Sequence, residues 1–168
     1  ASSARSAPEA RRIYTAAGQP AATIPFIWDA LPAAQRTMLN TSPASGIDDQ
    51  LGEKRVDYLR GGRRYELGKT GGIFRLRDRV LGAIVHSAPV FVGPPSVALQ
   101  GYDYAAFYAT NQARLPAVYV GADDGMLHAF DAGTGEELFA YIPDVLFARL
   151  GDLTRQGAAH HAYVDGMI

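Results

Sequence analysis

Hydrophobic and polar residues alternate with a period of two along the second half of the chain. Three alternating runs follow one another at 117–122, 126–131 and 137–142. Asp-Gly and Thr-Gly turns separate them, and such turns join neighbouring antiparallel strands because their glycines accept positive φ. Alternation itself points successive side chains to opposite faces of a sheet. The pattern therefore predicts a three-stranded antiparallel meander.

A fourth strand is predicted immediately upstream of this meander. Residues 84–92 are largely apolar, and Pro89 within them fits a sheet edge or a bulge, where a proline is tolerated. A long insertion at 93–115 connects this strand to the meander, and residues 104–112 within it have a helical composition. A short strand is also predicted over 74–79, where apolar and basic residues alternate.

The first half of the chain has apolar residues three to four positions apart. This spacing is typical of amphipathic helices and predicts them at 31–39 and 48–60, the second ended by Gly61-Gly62. A strand is predicted at 11–15, and residues 19–24 are predicted to form a loop. The chain has 18 glycines, 10 prolines, 9 tyrosines and 7 phenylalanines, which favours many turns between short strands over a helical bundle.

Composition and charge exclude several classes of protein. The absence of cysteine excludes a disulfide scaffold, a cysteine zinc site, an iron–sulfur centre and a thiol nucleophile. With 16 basic and 17 acidic side chains, the chain is nearly neutral, which argues against a nucleic-acid partner. Residues 53–79 nevertheless carry nine basic and four acidic side chains, a net charge of +5. Arg75, Arg77 and Arg79 would share one face of the predicted strand there, as a docking surface for an acidic partner or as a solvated outer strand.

Few residues are candidates for catalysis or metal binding. His86 and His128 lie in predicted strands, but two histidines without cysteines or carboxylates at set spacing are more typical of structural histidines. Asp123 and Asp124 are more typical of turn chemistry than of a cation site, because no D-x-D-x-D-G run is present. Residues 62–70 resemble a phosphate loop, but five residues separate Gly62 from Gly68 where that loop has four. The G-x-S-x-G motif of a serine nucleophile does not occur in the chain. We therefore predict no catalytic residue and no metal site.

Residues 118–135 resemble the quinoprotein-type propeller repeat, which reads roughly V-Y-V-G-A-x-D-G-x-L-x-A-x-D-A-x-T-G. Every defined position is met here. Its glycines suit crowded backbone or turns with positive φ, and its aspartate and threonine can accept hydrogen bonds from turn N–H groups. The blade signature comprises Gly121, Asp123, Asp124, Gly125, Asp131, Thr134, Gly135, Asp165 and Gly166.

With residues 84–92 counted as the first strand, this resemblance implies a mainly β fold. The expected architecture is a partial β-propeller: one complete four-stranded antiparallel blade plus pieces of neighbouring blades, with two or three short helices. We expect residues 1–10 to form a flexible tail and residues 11–80 to form a strand with a helical insertion. Residues 81–142 are expected to form the blade, with its insertion at 93–115. Residues 143–168 are expected to form a connector that starts the next blade.

An ordered set of motifs along the chain narrows the resemblance to one family of propeller proteins. The motifs include RRIYT at 11–15, LGAIVHSAPV at 81–90, DGMLHAFD at 124–131, FAYIP at 139–143 and YVDG at 163–166. Together they resemble the C-terminal propeller domain of the PilC/PilY family of type IV pilus biogenesis proteins and tip adhesins. The calcium-binding loop of that family is not present in this chain, so the resemblance implies no metal and no cofactor here.

The resemblance implies a non-catalytic binding and assembly module of a type IV pilus protein, exported to the cell surface, the pilus tip or the outer membrane. The implied partners are pilin or minor pilin subunits, the upstream part of the same parent protein, and a host or surface ligand. Self-association is expected through blade edges exposed by truncation. Two alternatives remain open: a fragment of a quinone-dependent dehydrogenase, and an outer-membrane assembly scaffold built on the same repeat.

Overall fold

The alternating runs form the centre of a single open sheet. The structure, a computed structural model, describes residues 7–96, 104–157 and 161–166, and within them six strands pair with one another. The strands are β1 (Ile13–Ala17), β2 (Ala22–Pro25), β3 (Val90–Val92), β4 (Ala117–Ala122), β5 (Met126–Asp131) and β6 (Glu137–Ile142). The helices are α1 (Ala33–Asn40), α2 (Gly52–Leu59), α3 (Tyr104–Asn111) and the single turn α4 (Phe147–Leu150).

The strand order is β2-β1-β6-β5-β4-β3. Strands β3 to β6 form an antiparallel meander in which sequence neighbours are also spatial neighbours. Strand β1 extends this meander by pairing parallel to β6, with Ile13 opposite Ala140, and β2 returns antiparallel to β1. The mainly β fold and the four-stranded antiparallel unit are therefore as predicted, and the sheet is open.

The pairing register divides the side chains between two faces of the sheet, because direct partners on neighbouring strands point to the same side. Partner sets such as Val120, His128 and Ala140 define one side. We call this side the core face; it carries Ile13, Val120, Met126, His128, Ala140 and Ile142. The other side, here called the aromatic face, carries Tyr14, Val90, Tyr119, Leu127, Phe139 and Tyr141.

The hydrophobic core lies between the core face and a layer of helices. Ile13, Met126 and Ile142 from the sheet belong to one buried cluster with Phe26 and Phe147. The rings of Phe26 and Phe147 meet edge to face, with centroids 6.0 Å apart. Aromatic side chains bury large areas, so these contacts hold the helical layer against the sheet.

A polar clasp joins α1 to α2. The Asn40 side chain at the end of α1 accepts a 2.8 Å hydrogen bond from the Gly52 N–H at the start of α2. From α2, Arg55 donates to the Leu39 carbonyl and forms a bidentate 2.6 Å pair with Asp49. Backbone groups at the two facing helix ends, the Leu39 carbonyl and the Gly52 N–H, thereby have hydrogen-bond partners within the chain.

Several element boundaries differ from the predictions. Only Val90–Val92 of the predicted strand 84–92 pairs with the sheet. The predicted loop 19–24 contains most of β2, which pairs with β1 although its side chains are mostly exposed. Helix α2 begins four residues later than predicted, because Asp48 and Asp49 accept N–H groups two residues ahead and hold a turn there. Among the described helices, none is long and apolar enough to cross a membrane.

We expect Phe147→Ala to lower the free energy of unfolding by about 3–5 kcal/mol, because it leaves a cavity between the sheet and the helices. Urea denaturation followed by circular dichroism measures this change. Val145→Ala is the matched control, because Val145 is 84% exposed two residues away and its truncation should change stability little. Equal effects of both substitutions would contradict this description of the core.

Candidate functional site

The turn between β4 and β5 holds in place the loop that precedes β3, at Gly82 and Ala83. Gly125 occupies this turn with φ of +87°, a conformation that favours glycine. The Asp124 Oδ2 accepts a 2.9 Å hydrogen bond from the Gly82 N–H, and the Asp123 N–H donates to the Ala83 carbonyl at 3.0 Å. Gly82 and Ala83 are therefore tied to this turn instead of continuing the sheet.

The turn between β5 and β6 is closed by side chains of the blade signature. The Asp131 Oδ1 accepts hydrogen bonds of 2.7 and 2.8 Å from the Gly133 and Thr134 N–H groups, and these bonds lower the pKa of Asp131. The Thr134 hydroxyl accepts from the Glu136 N–H, and Gly135 has φ of +74°. These residues build the turn from their own side chains.

The segment 161–166 closes over β4. The Asp165 carboxylate accepts 2.9 Å and 2.6 Å hydrogen bonds from the backbone N–H and the Nδ1 of His86. Gly166 has φ of +118°. A Cβ at Gly121 would overlap the Val164 carbonyl oxygen, so the glycine permits this close approach.

A buried chain of charged groups lies beneath this surface. Arg11 forms a bidentate pair with Glu137, with nitrogen–oxygen distances of 2.6 and 2.8 Å. Glu137 also contacts the Nδ1 of His128 at 2.8 Å, and the Nε2 of His128 contacts Asp124 at 3.0 Å. The side chains of Arg11 and Glu137 are each 2% exposed and that of His128 is fully buried. The chain links the N-terminal segment to β5, β6 and the β4–β5 turn.

The geometry assigns a proton to both ring nitrogens of His128. Carboxylate oxygens only accept hydrogen bonds, and each ring nitrogen faces one, so an imidazolium satisfies both contacts where a neutral ring satisfies one. Burial lowers the pKa of His128, but Asp124 and Glu137 outweigh it and the net pKa is raised. Burial raises the pKa of Glu137, yet His128 and Arg11 bring it down to about 2.

An open groove of about 710 Å³ lies beside the β4–β5 turn. Its walls come from residues 75–84, the Asp123-Asp124 turn, and the segments around Asp152 and His161. The wall formed by residues 82–84 is the loop that the turn holds in place. The groove thus combines guanidinium and carboxylate groups, and the blade signature fixes one of its walls.

The prediction that Arg75, Arg77 and Arg79 share one face of a strand is wrong. Residues 74–79 form no strand, because the Arg75 N–H donates to the Thr154 carbonyl and the segment leaves the sheet. The Arg77 side chain is 8% exposed and pairs with Glu66 at 2.8 Å, and its guanidinium lies over the Tyr58 ring. Arg75 and Arg79 are exposed in the wall of the groove, where the Arg75 Nε donates a 2.8 Å hydrogen bond to the Leu153 carbonyl.

The histidines do not form a shared site. His86 binds Asp165 on the surface, and His128 binds Asp124 and Glu137 in the interior. His160 lies outside the described residues. Within the described ranges, no group of three or more His, Asp or Glu side chains is arranged to hold a metal ion.

The sequence signalled some site residues and missed others. The Asp-Gly turn placed Asp124 beside the blade, and Asp124 precedes His128 by four residues across the hairpin. Arg11, Glu66 and Glu137 were missed, because their partners lie 126, 11 and 126 residues away, respectively, and no local pattern records such pairs.

The four-stranded meander with its two signature turns defines a β-propeller blade, and the comparison with protein families agrees. Residues 81–168 match the family model described as the PilY1 beta-propeller domain, which covers more than half of the chain. The chain belongs to this family.

Two curated relatives are similar over most of the chain. The type IV pilus biogenesis factor PilY1 homolog of Xylella fastidiosa is 39% identical over 167 residues, covering 88% of this chain and 14% of the relative. The type IV pilus biogenesis factor PilY1 of Pseudomonas aeruginosa is 39% identical over 167 residues, covering 93% of this chain and 14% of the relative. The chain therefore spans about one seventh of the length of these relatives. No solved structure is significantly similar to it.

We expect His128→Gln to lower the free energy of unfolding by roughly 3 kcal/mol near pH 6, because glutamine leaves one buried carboxylate without its charged partner. The folded pKa of His128 is raised, so the stabilisation is fully present below the unfolded pKa of about 6.5 and is lost as pH rises through the folded pKa. Urea denaturation between pH 5 and 9 should show the wild type and the variant converging at high pH.

His86→Gln is the control for this pH dependence. His86 also has a raised pKa, from its hydrogen bond and its attraction to Asp165, but it lies on the surface. Its loss should therefore leave most of the pH dependence in place. A stability difference between wild type and His128→Gln that stays constant over the pH range would contradict the assignment.

We expect Gly121→Ala to lower the free energy of unfolding by roughly 1–3 kcal/mol, because the new methyl group pushes against the Val164 carbonyl oxygen. Hydrogen exchange should quicken in residues 161–166. Gly151→Ala is the matched control, since a Cβ there meets Pro43 at an ordinary 3.5 Å and the residue lies in helical backbone. A neutral Gly121→Ala would show that segment 161–166 does not depend on this contact.

Proposed function

We propose that the chain is a non-catalytic docking module in a protein of type IV pilus biogenesis, acting at the cell surface or on the pilus. Its partner is an acidic segment of a pilus component such as a pilin subunit. The observation that carries this proposal is the groove, in which Arg75 and Arg79 are exposed next to a wall that the Asp123-Asp124 turn holds in place. Both curated relatives are type IV pilus biogenesis factors, which supports the pilus context.

Rigid presentation is the mechanism we propose. Asp123, Asp124 and Asp165 hold the loop and the segment that border the groove, and the Arg75 N–H donates to the Thr154 carbonyl. The backbone around the groove therefore needs little ordering when a partner binds. A surface that is ordered beforehand loses less conformational entropy on association. The long-range attraction between the guanidinium groups and an acidic segment would mainly speed encounter and select the partner.

No observation favours the quinone-dependent dehydrogenase as a second function. Trp28, the single tryptophan, belongs to the helical layer: the Arg36 guanidinium lies 5.5 Å from its ring centroid, and Gly52 packs against the same ring. This tryptophan is therefore engaged in contacts between helices and turns, and is not presented as a stacking platform for a cofactor.

We expect the double variant Arg75→Ala/Arg79→Ala to weaken binding to assembled pili about tenfold, the effect of losing roughly 1.4 kcal/mol of interface free energy. Co-sedimentation of the purified chain with pili measures the affinity. Binding by the wild type should also weaken as salt is raised, because exposed charges are screened.

Arg12→Ala is the matched control, because Arg12 is exposed outside the groove. This variant should bind pili as the wild type does. Circular dichroism verifies that each variant is folded. Unchanged binding by the double variant would locate the docking surface elsewhere, and absence of wild-type binding would contradict the proposed function itself.

A further inference from the structure

One carboxylate joins the groove wall to a buried charge. Asp124 accepts the Gly82 N–H on Oδ2 at 2.9 Å, and its Oδ1 lies 3.0 Å from the Nε2 of His128. The Gly82 backbone approaches this turn so closely that a Cβ on Gly82 would overlap the Asp124 nitrogen. Any change that moves the Asp124 carboxylate therefore acts directly on the wall at Gly82.

The charged groups around His128 come from β6, the β4–β5 turn and the N-terminal segment. Glu137 contacts the Nδ1 of His128, and Asp124 contacts the Nε2. Arg11 lies behind Glu137 as its bidentate partner, and Arg60 from the helical layer donates to the Arg11 carbonyl. The direct strand partners of His128 on β4 and β6 are apolar. Among these groups, the two carboxylates make the contacts that depend on the charge of the ring.

The two carboxylates differ in their access to water. The Glu137 side chain is 2% exposed and is also held by Arg11, whereas the Asp124 side chain is 16% exposed. A neutral imidazole carries one N–H, so it donates to one carboxylate and turns a lone pair toward the other. Asp124 can replace a lost hydrogen bond with water, but Glu137 is buried and cannot. The proton of a neutral His128 therefore stays on Nδ1, and the contact with Asp124 breaks.

We propose that the imidazolium of His128 holds the groove wall at Gly82 in place, and that the wall is released when Nε2 loses its proton. The lone pair of Nε2 then repels the Asp124 Oδ1, and rotation of this carboxylate draws Oδ2 away from the Gly82 N–H. The Asp123 N–H still donates to the Ala83 carbonyl, so the loop loosens at Gly82 without leaving the turn.

The direction of the pH dependence follows from the two carboxylates. They raise the net pKa of His128 against the opposing effect of burial. The wall is therefore held below the folded pKa of His128 and released as the pH rises through it.

The same proton changes the charge of the groove. Its loss removes one positive charge beside Asp124, which lies in the groove wall, and makes the groove less attractive to an acidic segment. Loosening at Gly82 adds an entropic cost to binding. Both effects weaken binding of an acidic partner as the pH rises. This consequence rests on the proposed function, whereas release of the wall is a property of the chain itself.

An NMR titration of the isotope-labelled chain between pH 5 and 9 tests the release. The Gly82 amide signal should shift with the same midpoint as the His128 ring nitrogens, and the neutral ring should carry its proton on Nδ1. Hydrogen-exchange protection at Gly82 should fall about tenfold across this midpoint. The Gly135 N–H, which donates within the β5–β6 turn, is the internal control and should keep its protection.

Three results of this titration would overturn the proposal. The first is a neutral His128 ring with its proton on Nε2, because that tautomer keeps the bond to Asp124. The second is a Gly82 transition whose midpoint differs from that of His128. The third is the absence of any His128 transition in this pH range.

Asp124→Asn distinguishes the coupling from a merely structural contact. The asparagine lacks the negative charge that favours the imidazolium, so the midpoint of His128 should fall by about one pH unit. Asp165→Asn is the matched control, because Asp165 contacts His86 instead, and it should leave the midpoint unchanged. Equal midpoints in Asp124→Asn and the wild type would contradict the proposal.

Co-sedimentation with pili tests the consequence for binding. His128→Gln reports the titration of the pili alone, and relative to it the wild type should lose about fivefold more affinity between pH 6 and 9. Parallel loss of affinity in both proteins would overturn the inferred regulation of the groove. Absence of binding at every pH, together with the Gly82 transition, would contradict the proposed function and leave the release of the wall supported.

Discussion

The buried pair between Arg11 and Glu137 is the interaction on which the rest of the sheet depends. A charge left without its partner in a protein interior costs several kcal/mol, so removing either residue destabilises the buried position of the other. Glu137 in turn orients His128, which holds Asp124 and thereby the loop at Gly82. The N-terminal segment is thus part of the same electrostatic unit as the groove wall.

Arg60 reinforces this connection from the helical layer. Its guanidinium donates to the carbonyls of Arg11 and Phe26, and the Arg11 guanidinium donates to the Arg60 carbonyl in return. Each arginine therefore donates to the other's backbone carbonyl. These hydrogen bonds offset the repulsion between the two guanidinium charges. The end of α2, the entry to β1 and the pair with Glu137 are fixed together, and the helical layer cannot shift without disturbing the sheet.

Local turn chemistry explains which parts of the fold could be predicted. Strands β4 to β6 appear at the predicted bounds, because Gly125 and Gly135 define where each strand ends and alternation defines its faces. The predicted strand at 84–92 shortens because the Asp165 side chain takes the His86 N–H that a ladder would use. Such competition is between distant residues, and no window of sequence contains both partners.

The basic segment shows the same limit for the candidate site. Alternation of apolar and basic residues at 74–79 is a correct strand signal locally, but Arg77 finds Glu66, the Tyr58 ring and the Gly62 carbonyl at the end of α2. These partners satisfy a buried guanidinium more completely than an exposed strand position would. Periodicity could therefore locate the charge, and only the tertiary structure shows which arginines face outward.

The parallel pairing of β1 with β6 has a consequence for how the chain folds during synthesis. Strand β1 leaves the ribosome about 125 residues before its partner, and at about 5–20 residues per second it waits roughly 6–25 s. An unpaired strand edge is a template for wrong pairing during that interval. Strand β2 follows β1 directly and can form a hairpin with it in microseconds. The short, exposed β2 thus covers one edge of β1 early. Only the other edge of β1 stays unpaired until β6 has been synthesised.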